Sequence, residues 1–123
     1  MAKFEVIGHD VVETISYLKC YRSGWANDIR EGWSVGSDEA KEILYSLYEI
    51  AGTIILALEN RLNGDAGDKM ALHITKNKLL KLTGSEAYGH YAALGELHAC
   101  NVVTSGTIHH VNVMHECLDV LMA

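Results

Sequence analysis

Seven histidines and three cysteines are the residues of this 123-residue chain best suited to chemistry. His98, Cys100, His109, His110, His115 and Cys117 fall in its last quarter as "HAC … HH … HEC". They supply the imidazole and thiolate ligands that zinc favours. Their spacing argues against a local site. On a helix, His98 and Cys100 point about 200° apart; on a strand, His109 and His110 face opposite sides. A site built across two subunits is the metal reading that remains. Scattered surface histidines with buried thiols are the plainer one, and we expect neither metal nor cofactor. A Cys–His nucleophile pair lacks any oxyanion-hole motif beside it. There is no phosphate-cradling glycine loop and no G-x-S-x-G. Glu39, Glu42 and Glu49 read as one exposed helix face rather than as paired catalytic acids. The sequence therefore predicts no enzyme.

These residues must be carried by a single domain, since the length gives one real core but not two. A hydrophobic fraction of 49% is ordinary for a globular protein and speaks against disorder. The longest apolar run, Ile50 to Leu58, is about half of what spans a bilayer, and "MAKFEVIGHD" shows no secretory signal. An odd cysteine count without CxxC fits free thiols, so a cytoplasmic location and no membrane partner are expected. The net charge of −6 weighs against nucleic-acid binding. That charge is uneven. Residues 1–68 hold six Lys/Arg against twelve Asp/Glu, while residues 69–123 hold four of each. The four lysines of the second half, Lys69, Lys76, Lys78 and Lys81, all precede its first carboxylate, Glu86.

Two helices are expected in the first half. Asp10 is a suitable N-cap for the run from Val11 to Trp33, which Gly24 interrupts or ends. Ser37 caps a second helix that ends at Gly64, a C′ glycine after Asn63. Its near-continuous apolar stretch, with Ile50, Ile54, Ile55 and Leu58, predicts burial against a second subunit, hence a homodimer. Trp25, Trp33, Tyr45 and Tyr48 flank the first inter-helix loop and read as core and loop packing. An aromatic, acidic surface there could also receive a partner protein. "GDAGDK" lacks the alternating carboxylates of a calcium loop and reads as a solvated turn.

In the second half, "MALHI" reads as a short strand or an extended entry, and Thr75 as the N-cap of a short helix stopped at Gly84. Ser85 would cap the next helix, Glu86 to Cys100. "VVTSGTIHHVNV" reads as strand, turn at Ser105-Gly106 and strand. A last helix places Met114, Cys117, Leu118 and Leu121 on one face.

Helix, glycine turn, helix and two-stranded hairpin in this order resemble a winged helix-turn-helix. The resemblance covers about Ala51 to Val113, and "LLKLTGSEAYGHYAALGELHACNVV" is its closest portion. The layout is similar to small dimeric regulators of the MarR and ArsR type and to TubR-like centromere binders. It implies a mainly α fold with long amino-terminal helices and a small β-hairpin wing. The helix from Glu86 to Cys100 would be the recognition helix and Ser105-Gly106 the wing tip. Thr75, Lys76, Lys78, Lys81 and Ser85 would then meet phosphates, Tyr88, Gly89 and His90 base edges, and the wing would present Ser105 and Thr107. A solvated face is the plainer role for the lysines. The absence of arginine after Arg61 and the position of Glu86 fit DNA badly.

The expectation is thus one domain over residues 1–123: a helical dimerisation part (1–64), helix-turn-helix and wing (65–113), and a terminal helix (114–123). Its expected partner is double-stranded DNA, as a transcriptional regulator or a plasmid or phage centromere-type binder. The alternative is an acidic protein-interaction module, an inhibitor or adaptor, that uses the same scaffold without DNA.

Overall fold

The computed structural model describes residues 5–6, 9–31, 38–65, 67–83, 86–87, 90–91 and 105–123. Helix α1 (Val11–Glu31) starts where expected. The Glu13 amide donates to Asp10 Oδ1 at 2.8 Å, and the Thr14 hydroxyl donates to the Asp10 carbonyl at 2.8 Å. These bonds satisfy a free amide and a carbonyl at the helix entry. Asp10 also ends an antiparallel pair of two-residue strands, β1 (Glu5–Val6) and β2 (His9–Asp10). The helix continues through Gly24, contrary to expectation. Leu18 and Trp25, one on each side of it, are buried and hold both halves on the same core. Their burial outweighs the roughly 1 kcal/mol that a mid-helix glycine costs.

Helix α2 (Asp38–Leu62) has the expected length. At its end the Gly64 amide donates to the Arg61 carbonyl (3.1 Å) and the Asp65 amide to the Asn60 carbonyl (2.9 Å). With Gly64 at φ 83°, this is a Schellman closure, and it needs a residue without Cβ strain. The following loop is organised by its own aspartates. Asp65 Oδ1 accepts from the Gly67 amide and Asp68 Oδ1 from the Met70 amide.

Asp68 is therefore the cap of helix α3 (Lys69–Thr83), which starts well before Thr75. The expected strand at "MALHI" and the cap at Thr75 are both corrected. Alternation of Met70, Leu72 and Ile74 suggested a strand, but only Leu72 is buried, and it continues as Leu72, Thr75, Leu79 and Thr83 at helical spacing. Thr75 lies inside the helix, its hydroxyl donating to the Ala71 carbonyl at 2.9 Å.

The wing is corrected as well. Ser105, Gly106 and Thr107 begin helix α4 (Ser105–Met122), so no hairpin turns there. β-branched residues in "TIHHVNV" suggested strands, yet Val111, Met114, Leu118 and Leu121 bury one helical face. Tertiary burial overrides the modest propensity difference. The start of the expected recognition helix is not helical either. Glu86–Ala87 (β3) and His90–Tyr91 (β4) pair antiparallel, Glu86 with Tyr91 and Ala87 with His90. Gly89 already weakens a helix at this point by about 1 kcal/mol. Residues 92–100 lie outside the described residues. A mainly α fold stands; a winged helix-turn-helix does not.

The helices among the described residues share one core. Leu18 of α1, Leu47, Ile54 and Leu58 of α2, Leu79 of α3, and Met114 and Leu118 of α4 are fully enclosed. α1 lies along α2, α3 along α4, and α2 meets both α3 and α4. Ile50 and Ile55 are buried in the same cluster. Ile50, Ile54, Ile55 and Leu58 are thus covered by the chain itself, which removes the reason these four gave for expecting a second subunit.

Candidate functional site

Of the residues expected to meet DNA, the structure leaves two plainly at the surface. Lys78 and Lys81 are exposed on α3, three positions apart. Thr75 is buried. Lys76 is largely enclosed, its ammonium 3.1 Å from Asp119 Oδ1 on α4. Ser85, Tyr88 and Gly89 lie outside the described residues. His90 sits in β4, while Ser105 and Thr107 lie in the first turn of α4. The set is spread over an interior position, an ion pair, a strand and a helix start. Among the described side chains, only Lys78 and Lys81 of this set share an exposed face.

The histidines divide in a way that spacing did not reveal. His73 and His109 are exposed, but His110 and His115 are core residues. His115 Nε2 is 3.2 Å from the Thr83 hydroxyl, which itself donates to the Leu79 carbonyl at 2.9 Å. Thr83 therefore accepts from an Nε2–H of His115. Burial, and then the Lys76 charge, push the His115 pKa down to about 4. His110 is stacked on Tyr21, stands edge-on to Trp25 with centroids 4.5 Å apart, and has Tyr17 at 5.4 Å. Burial pushes its pKa down to about 3, with His109 adding to the effect. Burial first, and Tyr21 second, raise Tyr17 to about 12. A neutral imidazole thus replaces a hydrocarbon ring in an aromatic cluster. Cys117 is buried and its thiol is pushed up to about 12 by that burial, so it offers no thiolate; Cys20 is exposed. Among the described residues, no three His, Cys, Asp or Glu side chains are grouped to hold a metal.

Among the described residues, α2 borders a groove toward α1 and another toward α3. One, of about 860 Å3, runs between α1 and α2, with Arg22, Tyr48, Gly52 and Leu56 in its lining. The other, of about 160 Å3, lies between α2 and α3 and is lined by Leu56, Ala57, Ala71 and Leu72 among others. Leu56 stands between them, 60% exposed. On α3, Met70 and Ile74 are 71% and 51% exposed, four positions apart and so on one face. Tyr45 is exposed rather than packed, which corrects its assignment to the core; Trp25 is buried as expected. Hydrogen bonding to Glu49, and then the charge of Glu49, raise the Tyr45 pKa above its ordinary value.

No protein-family model matches the chain, and no curated protein or solved structure matches it either. The functional reading rests on this geometry alone. The exposed apolar residues were not legible beforehand. Met70 and Ile74 look like core residues until α3 is seen to bury Leu72, Thr75 and Leu79 instead.

Proposed function

We propose that the protein is an acidic helical module that binds a partner protein through the outer face of α3 and the neighbouring ridge of α2. One observation carries this reading: Met70 and Ile74 leave large apolar side chains in water on one face of α3, and Leu56 does the same on α2, where it lines the α2–α3 groove. Large exposed apolar side chains that share a helix face mark interaction surfaces more often than isolated ones do. Lys78 follows Ile74 by four positions and Lys81 follows Lys78 by three, so the same face turns basic toward its carboxyl end. A fitting partner presents apolar side chains followed by carboxylates. A second copy has no apolar surface to claim at Ile50, Ile54, Ile55 and Leu58, which are buried within the chain.

The test places a photo-crosslinking amino acid at position 56, at position 74 and, as a control, at the exposed position 116 in the native host. One partner captured from positions 56 and 74 but not from 116, and lost when Met70 is changed to serine, is the expected result. Equal capture from all three positions would refute the reading.

DNA binding is the second reading, favoured by exposed Lys78 and Lys81 alone and no longer by a winged fold. It requires salt-dependent binding to random duplex DNA, with Lys78→Gln and Lys81→Gln each lowering the salt slope by about one unit. Absence of such binding at low ionic strength eliminates it.

No helix among the described residues is long and apolar enough to cross a membrane. The partner reading uses no catalytic group.

A further inference from the structure

We infer that Arg22 is a preorganised receptor for a carboxylate in the α1–α2 groove, on the opposite side of α2 from the α3 groove and sharing only the ridge residues Thr53 and Leu56 with it. Three constraints fix its guanidinium. Its Nε donates to the Tyr48 carbonyl at 3.0 Å. Its Cζ lies 3.8 Å from the Tyr48 ring centroid, a cation–π contact. Its terminal nitrogen rests on Gly52, where a Cβ would stand only 2.7 Å away. Gly52 therefore provides the seat. An arginine held in this way has already lost much of the side-chain freedom that ligand binding would otherwise cost.

The fork itself remains uncommitted. Among the described residues Arg22 has no carboxylate partner, although two glutamates line the same groove. Glu59 lies 3.9 Å from the Lys19 ammonium, and Glu49 is exposed. The terminal nitrogens of Arg22 can donate side by side to one planar carboxylate. Lys19 and Arg22 balance Glu49 and Glu59, so the lining is close to neutral. That balance suits a singly charged carboxylate and disfavours a dianionic phosphate. Ile55 and exposed Leu56 lie on the same wall, so the ligand class is a carboxylate with an apolar body. It is either a free organic acid or a glutamate side chain flanked by apolar residues.

The test follows the Arg22 Nε–H and the Tyr48 and Gly52 amides by NMR at fixed ionic strength and pH 7. Sodium 4-phenylbutyrate and the blocked peptide acetyl-Leu-Glu-Leu-amide are titrated against sodium chloride and sodium phosphate. Saturable shifts of all three signals with either carboxylate probe, and not with chloride, are expected. The probe that responds identifies the source, a free acid or a protein side chain. Arg22→Lys keeps the charge without the fork and should weaken binding at least tenfold. Gly52→Ala keeps the arginine but displaces it from its seat, and should weaken binding whether or not Arg22→Lys folds. No saturable response to either carboxylate probe, equal response to phosphate, or unchanged affinity in folded Gly52→Ala each overturns the proposal.

Discussion

His110 of α4 lies flat against Tyr21 of α1, with ring centroids 4.3 Å apart and planes 15° apart. Neither imidazole nitrogen has a hydrogen-bond partner among the described residues. The ring is fully enclosed, so the contact contributes stacking but leaves a donor and an acceptor unsatisfied. An apolar ring of similar shape keeps the first and removes the second. His110→Phe is therefore expected to raise the unfolding free energy by about 1–2 kcal/mol, as measured by urea denaturation. A loss of stability would mean that an undetected partner satisfies the imidazole.

Acid should destabilise the fold before its carboxylates titrate. The unfolded chain protonates His110 and His115 around 6.5, whereas burial holds them at about 3 and about 4 in the folded state. The unfolded state then binds more protons, so stability present above pH 6.5 is lost as pH falls toward those folded values. Each group contributes up to about 1.4 kcal/mol per pH unit within its window. His110→Phe should remove the His110 share of the slope in urea midpoints measured from pH 7 to 5. A slope unchanged by that substitution would mean that His110 is charged or solvated in the fold.

Gly24 sits in mid-helix with no atom within 4 Å of a Cβ added there. Alanine at this site adds no clash and removes backbone freedom from the unfolded chain. Gly24→Ala is expected to stabilise by about 1 kcal/mol, read as a higher thermal midpoint. A lower midpoint would show that something other than the described helices occupies that face.

Ile54 is fully buried by neighbours from its own chain. Ile54→Ala should cost about 2–5 kcal/mol, whatever the protein concentration. If the wild-type urea midpoint rises between one and one hundred micromolar, part of the α2 contact comes from a second copy instead.

Local signals were sufficient for several elements. Asp10 is a cap because its side chain reaches an amide three residues on, and Gly64 closes α2 because its φ of 83° suits glycine. The same holds for the buried face of Met114, Cys117, Leu118 and Leu121. Each depends on bonds or periodicity within a few residues of the chain, which the sequence states directly. Only tertiary structure decided the rest. "VVTSGTIHHVNV" matches a hairpin locally, but from Ser105 onward it is helix, because α4 buries Val111 and Met114 against the shared core. His110 is core rather than surface because Tyr17, Tyr21 and Trp25 arrive from α1, about ninety positions away in the sequence. The placement of Arg22 over Gly52 likewise exists only once α1 and α2 are side by side. Spacing along a chain encodes a helix face, but which face meets which is settled by the burial that the described helices achieve together.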